Sequence, residues 1–208
     1  MKDINGKLIA ISGLDGSGKS TCIDGVLDEL NQMGKTVAFF DAMKPGIFNP
    51  ELRKVALKKK NQFDCFSPDL IGLSYALDLL DTYESKLIPS LEEGKTVLVH
   101  RYDLCGLTYS EAMGAKTSLI KLILQNCRKP DLHIYLKVES EKAYQRVVNR
   151  ARQTTIPISD NGTAYVLSQA AKSYLENIQH DKPFVKIIDG NLKPPEVRSR
   201  VLNEILAI

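Results

Sequence analysis

The densest chemical signal in the chain is Gly13-Leu14-Asp15-Gly16-Ser17-Gly18-Lys19-Ser20-Thr21. It fits G-x-x-x-x-G-K-[ST] in full. Glycines let such a segment curl so that successive backbone N–H groups point into one concavity. A helix starting at the lysine adds partial positive charge at the same place. The loop therefore suits the phosphates of a nucleoside triphosphate. Lys19 would reach the β- and γ-oxygens, and the Ser20 hydroxyl is a ligand for Mg²⁺. The motif implies binding and leaves the fate of the γ-phosphate open.

Arginines supply the next candidates. Arg101 follows the apolar run at 97–99 and is expected at the carboxyl end of a buried strand, where open α/β sheets bind ligands. A guanidinium there grips phosphate oxygens in a bidentate way. Arg146 and Arg150 stand four apart and share a helix face, with Arg152 just beyond. The cysteines, Cys22, Cys65, Cys105 and Cys127, form no C-x-x-C pair, and His100, His133 and His180 have no ligand spacing. Reduced, mostly buried thiols are expected, and no zinc site.

The elements that must hold these residues alternate. Short apolar runs at 8–11, 37–40, 97–99, 132–138 and 185–188 read as buried strands. Helical spacing appears at 23–30 with Gly34 as its stop, and again at 139–152, 166–178 and 196–206. Ser67-Pro68 opens a further helix that runs through Tyr75 and Leu79 toward Leu91, disturbed near Pro89. This pattern predicts an α/β fold of P-loop type, a five-stranded parallel sheet with helices on both faces. Residues 41–50 and 153–162 read as irregular, and a lid is expected at 150–162. The 208 residues suit one domain. With 43% hydrophobic and 25% charged residues and a net charge of +3, neither a membrane nor a nucleic-acid partner is expected. The first residues lack a signal-peptide core, so a cytoplasmic location is expected.

The chain resembles the thymidylate kinases over nearly its whole length. The loop at 13–21 carries the resemblance first. Then come Val99-His100-Arg101-Tyr102 with Cys105-Gly106-Leu107-Thr108-Tyr109, Pro130-Asp131-Leu132 with the later arginines, and Ile188-Asp189-Gly190-Asn191. The resemblance implies an ATP- and Mg²⁺-dependent phosphotransferase with a nucleoside monophosphate acceptor, dTMP by analogy. It implies that Asp15, Arg101, Tyr102 and Tyr109 meet the acceptor. Arg146, Arg150, Arg152, Asp189 and Asn191 would serve the nucleotide and the transferring phosphate. A homodimer is left open.

The departures lie on the acceptor side. His100 stands where the family has a carboxylate. Asp41, or Lys44 if the loop is shifted, stands where it has a phosphate-holding arginine. Leu79 replaces the base-reading arginine, while the aromatic four residues earlier is kept as Tyr75. Tyr75 suits either stacking on a flat ring or a place in the core. Two alternatives stay open: a kinase for an unphosphorylated nucleoside or other alcohol, and a nucleotide-binding module with little turnover.

Overall fold

The computed structural model describes residues 5–42, 46–58, 66–154, 160–180 and 184–208. Its five strands are β1 (Leu8–Gly13), β2 (Val37–Asp41), β3 (Thr96–His100), β4 (Leu132–Lys137) and β5 (Val185–Asp189). All pair in parallel, in the order β2-β3-β1-β4-β5. Every predicted strand is present. The central ones are buried on both faces, which is why they read as unbroken apolar runs.

One face of the sheet, with Ile9, Ile11, Leu98, Ile134 and Leu136, packs on α1 (Lys19–Gln32) and α9 (Pro194–Leu206). The opposite face is covered in two parts. Leu8, Ala10, Val97 and Val99 meet α3 (Pro68–Thr82), α4 (Ile88–Glu92) and α6 (Ser118–Leu124). Tyr135 meets α5 (Asp103–Ala112), α7 (Ser140–Thr154) and α8 (Asp160–His180). With α2 (Phe48–Lys58), the helices make two layers with the sheet between them. The direction of strand addition reverses around β1, so the phosphate loop leaves the sheet at the switch point, where such folds bind ligands.

The expected helix toward Leu91 is divided. Ser67 caps α3 by accepting from the Leu70 N–H, as its sequence suggests. A π-helical turn, Tyr83–Leu87, then separates α3 from α4. The Ile88 N–H reaches back to the Tyr83 carbonyl, and Pro89, lacking an N–H, opens α4. Residues 41–50, read as irregular, contain the last residue of β2 and the start of α2. Helix α5 escaped notice because Cys105, Gly106, Thr108 and Ser110, small or polar residues, are among its buried positions. Helix α6 is only seven residues long. Helix α7 runs on to Thr154 and α8 starts at Asp160, earlier than expected. The middle of the expected lid, 155–159, lies outside the described residues.

Candidate active site

Strand β1 delivers the chain into the loop and α1 takes it out. At Gly13 a side chain would meet the Leu136 carbonyl and Ser17 Oγ, each at 2.7 Å. At Gly16, where φ is +86°, a Cβ would lie 2.3 Å from the Ala143 carbonyl, so the loop is pressed against α7. Gly18, also left-handed, precedes α1, with no side chain capping the helix and no acid in its first turn. That leaves the helix N-terminus to an anion. Ser20 and Thr21 are exposed on this turn, whereas Ser17 is buried. The Lys19 amine folds into the loop and donates to the carbonyls of Gly13 (2.9 Å) and Leu14 (2.7 Å) and to Ser17 Oγ (3.4 Å). Burial and the Arg101 charge pull its pKa down to about 8, against the opposing pull of Asp15.

Arg101 emerges just past β3, at the carboxyl edge. Its φ of +64° is the one positive value at a non-glycine position among the described residues. Such a conformation costs roughly 1–3 kcal/mol and persists only where the surroundings dictate it. Here the Arg101 N–H donates to the Ile11 carbonyl at 2.9 Å. The guanidinium pairs with Asp15 and also donates to Cys105 Sγ at 3.6 Å. Burial would raise the Asp15 pKa, but Arg101, Lys19 and Arg150 outweigh it and hold it at about 2. The Asp15 N–H donates to the Tyr109 hydroxyl at 2.7 Å. Tyr109 meets the edge of Tyr174, which stacks on Tyr135 with ring centres 4.6 Å apart. Across the edge, the Tyr75 ring of α3 presses against Gly106, where a Cβ would fall 2.1 Å from it. Lys19, Asp15, Arg101, Tyr109 and Tyr75 thus form one continuous group.

Helix α7 adds its arginines on the loop's other flank. Arg146 Nη1 donates to the Gly16 carbonyl at 3.2 Å. Arg150 is exposed, yet its charge reaches both Asp15 and Lys19. Arg152 belongs to the same helix. At the end of β5, Asp189 accepts from the Asn191 N–H and side-chain amide, both at 2.9 Å, and these bonds lower its pKa. The intervening Gly190 passes close to the loop, since a Cβ there would lie 3.3 Å from the Ser17 carbonyl.

Asp41 and His100 are register partners at the ends of β2 and β3, with His100 Nδ1 3.2 Å from Asp41 Oδ2. Lys44 lies outside the described residues. Tyr102 corrects an expectation: it is wholly buried, and its hydroxyl donates to the Arg128 carbonyl at 2.9 Å. The residue after Arg101 turns into the core, so it does not face an acceptor. Cys105, expected among the mostly buried thiols, and Tyr174, which the sequence does not single out, both adjoin the site. Nothing in their helical spacing separates a core position from the floor of a cleft. Asp78, a buried acid in the apolar run of α3, also went unnoticed; an ionisable group at such a position was its signal.

A family model described as thymidylate kinase matches residues 11–201. The thymidylate kinase of Ligilactobacillus salivarius is 27% identical over 214 aligned positions, covering 99% of this chain and 98% of that protein. A probable thymidylate kinase of Archaeoglobus fulgidus is 28% identical, over 93% of this chain and 92% of its own length. One of Pyrobaculum aerophilum is 30% identical over 68% of this chain and 70% of its length.

Proposed function

The chain belongs to the thymidylate kinase family of nucleotide kinases, and from that premise we propose that it moves the γ-phosphate of ATP onto dTMP. The observation that carries the reading is the adjacency of the loop and the Arg101–Asp15 pair. A triphosphate-binding concavity and a cation suited to an acceptor phosphate stand side by side at one sheet edge. ATP phosphates would replace the loop oxygens that Lys19 now contacts. Gly18, Ser20 and Thr21 would offer backbone N–H groups, and Asp189 and Asn191 would flank the base. The Ser20 hydroxyl, exposed beside Lys19, fits a Mg²⁺ that keeps its remaining ligands from water and phosphates. That ion would supply charge neutralisation on the phosphates.

The protein's own task is positioning and electrostatics. Arg101 would grip the acceptor phosphate and Asp15 its sugar, with Tyr109 bracing the Asp15 backbone. Tyr75 would flank the base. Arg146, Arg150 and Arg152 would bring positive charge to the equatorial oxygens. Replacing Arg101 with Ala should raise the acceptor KM by roughly tenfold or more, as expected for a lost charge-assisted contact, with little change in ATP KM. Separate titration of the two substrates checks this, and a loss confined to ATP would remove Arg101 from the acceptor site.

The Asp41–His100 pair favours a second reading, in which the acceptor carries no phosphate at its reacting end. Each unit of phosphate charge about 4 Å from a carboxylate costs on the order of 4 kcal/mol at an effective dielectric near 20. Under this reading, Asp41→Asn should improve dTMP binding and erode the preference for a neutral alcohol. If dTMP affinity stays unchanged, Asp41 does not set acceptor charge.

A further inference from the structure

The connection between β2 and α2 is fixed at both ends. At its start the Ala42 N–H donates to the His100 carbonyl at 3.1 Å, extending the β2–β3 ladder to the carboxyl edge. At its far end three consecutive N–H groups converge on Asp78 of α3. Ile47 and Phe48 donate to Oδ1 at 2.7 and 2.8 Å, and Asn49 donates to Oδ2 at 2.8 Å. Ile47, just before α2, has no side-chain acceptor to cap the helix, so Asp78 does so from a neighbouring helix. The approach is close: a Cβ on Gly46 would lie 2.5 Å from Asp78 Oδ2. A second strand of bonds runs beside the first. The Asn49 side-chain amide donates to Ser74 Oγ at 3.1 Å, and Ser74 donates to the Ile71 carbonyl at 2.7 Å.

Asp78 is 3% exposed, and a buried carboxylate is tolerated only when its oxygens are bonded. It stands three residues after Tyr75, on the same side of α3. One carboxylate therefore ties the helix that carries Tyr75 to the chain that leaves Asp41. The phosphate loop has other supports, in β1, α1 and α7. We propose that Asp78 is a positioning residue for the acceptor. It sets residues 46–49 against the helix that carries Tyr75, and this role rests on the acceptor-side reading given above.

The test compares wild type, Asp78→Asn and Asp78→Ala as full-length proteins. Acceptor KM, ATP KM and amide exchange at residues 47–49 are measured. An asparagine keeps one oxygen for Ile47 and Phe48 and turns an NH₂ toward Asn49. The expected result for Asp78→Asn is an acceptor KM raised roughly tenfold, with ATP KM within about twofold of wild type. For Asp78→Ala a larger rise and faster exchange at these amides are expected. Ser74→Ala, which cuts the parallel strand of bonds, should shift acceptor KM in the same direction. It carries the comparison with Asp78→Asn if the alanine variant does not fold. Equal changes in both KM values, or faster exchange with an unchanged acceptor KM, would overturn the proposal. If wild type uses thymidine rather than dTMP, the KM split is read with thymidine; the dTMP assignment then falls while the Asp78 proposal is still decided.

Discussion

Lys19 is the residue whose chemistry is most changed by its surroundings. The residue is 4% exposed, and its amine is held by neutral oxygens, beside a guanidinium that outweighs the help from Asp15. The pKa of about 8 means that the unliganded protein begins to lose this proton just above neutrality. A triphosphate reverses the balance, since anionic oxygens favour the charged amine. Binding should therefore take up a proton above pH 8, and affinity for an ATP analogue should fall as pH rises toward 10. The limit is about tenfold per pH unit. Calorimetry in buffers of different ionisation enthalpy reads the proton directly. A pH-independent affinity between 8 and 9.5 would show that Lys19 is not the titrating group. In the unliganded protein the same depressed value has a stability consequence. The unfolded chain holds the proton up to about 10.5, so stability should rise with pH between roughly 8 and 10.5. Asp15 works in the opposite range. Its value of about 2 stabilises the fold above pH 4, and that contribution is lost as pH falls through 2; a side-chain exposure of 37% lets solvent screen much of it.

At the scale of elements, the proposed acceptor site depends on the spacing of α3 and α5. Gly106 allows the Tyr75 ring to lie on the α5 backbone, and Gly72 lets α3 approach Ser110 within 2.6 Å of a would-be Cβ. Gly106→Ala should push the helices apart, costing about 1–3 kcal/mol through overpacking. In a protein of this size, each kcal/mol should lower Tm by about 2–4 °C. Because Tyr75 moves with α3, the acceptor KM should rise more than the ATP KM. A wild-type Tm in Gly106→Ala would mean that the contact relaxes without strain. These helices also mark how far the sequence could be read. Strands buried on both faces announce themselves as apolar runs, and the loop motif fixes its own strand–loop–helix context. Helix α5 has no such stripe, because Cys105, Gly106, Thr108 and Ser110 are among the buried positions of its face. The site was legible where chemistry is local, as at Lys19 and Ser20. It was illegible where it depends on tertiary proximity. Nothing near Tyr102 in sequence says that it turns inward while Arg101, beside it, turns to the cleft in a left-handed conformation. Nothing near Asp78 says that its partners are 29 to 31 residues away.

For the whole molecule, the parallel order β2-β3-β1-β4-β5 sends every strand's carboxyl end to one edge. The phosphate loop after β1, Arg101 after β3 and Asn191 after β5 therefore share a rim. The side of that rim proposed for the acceptor is where β2 and β3 end in Asp41 and His100. No helix among the described residues is long and apolar enough to cross a membrane. The central claim is that the two halves of the rim meet on ATP and a monophosphate acceptor. The most direct measurement is ADP release from ATP–Mg²⁺ by the wild-type protein, with dTMP, with thymidine and with no acceptor, and Lys19→Ala measured alongside. The predicted result is release that depends on dTMP, exceeds that with thymidine, and is lost in Lys19→Ala. ATP binding with no acceptor-dependent release, or release with thymidine and none with dTMP, would contradict it.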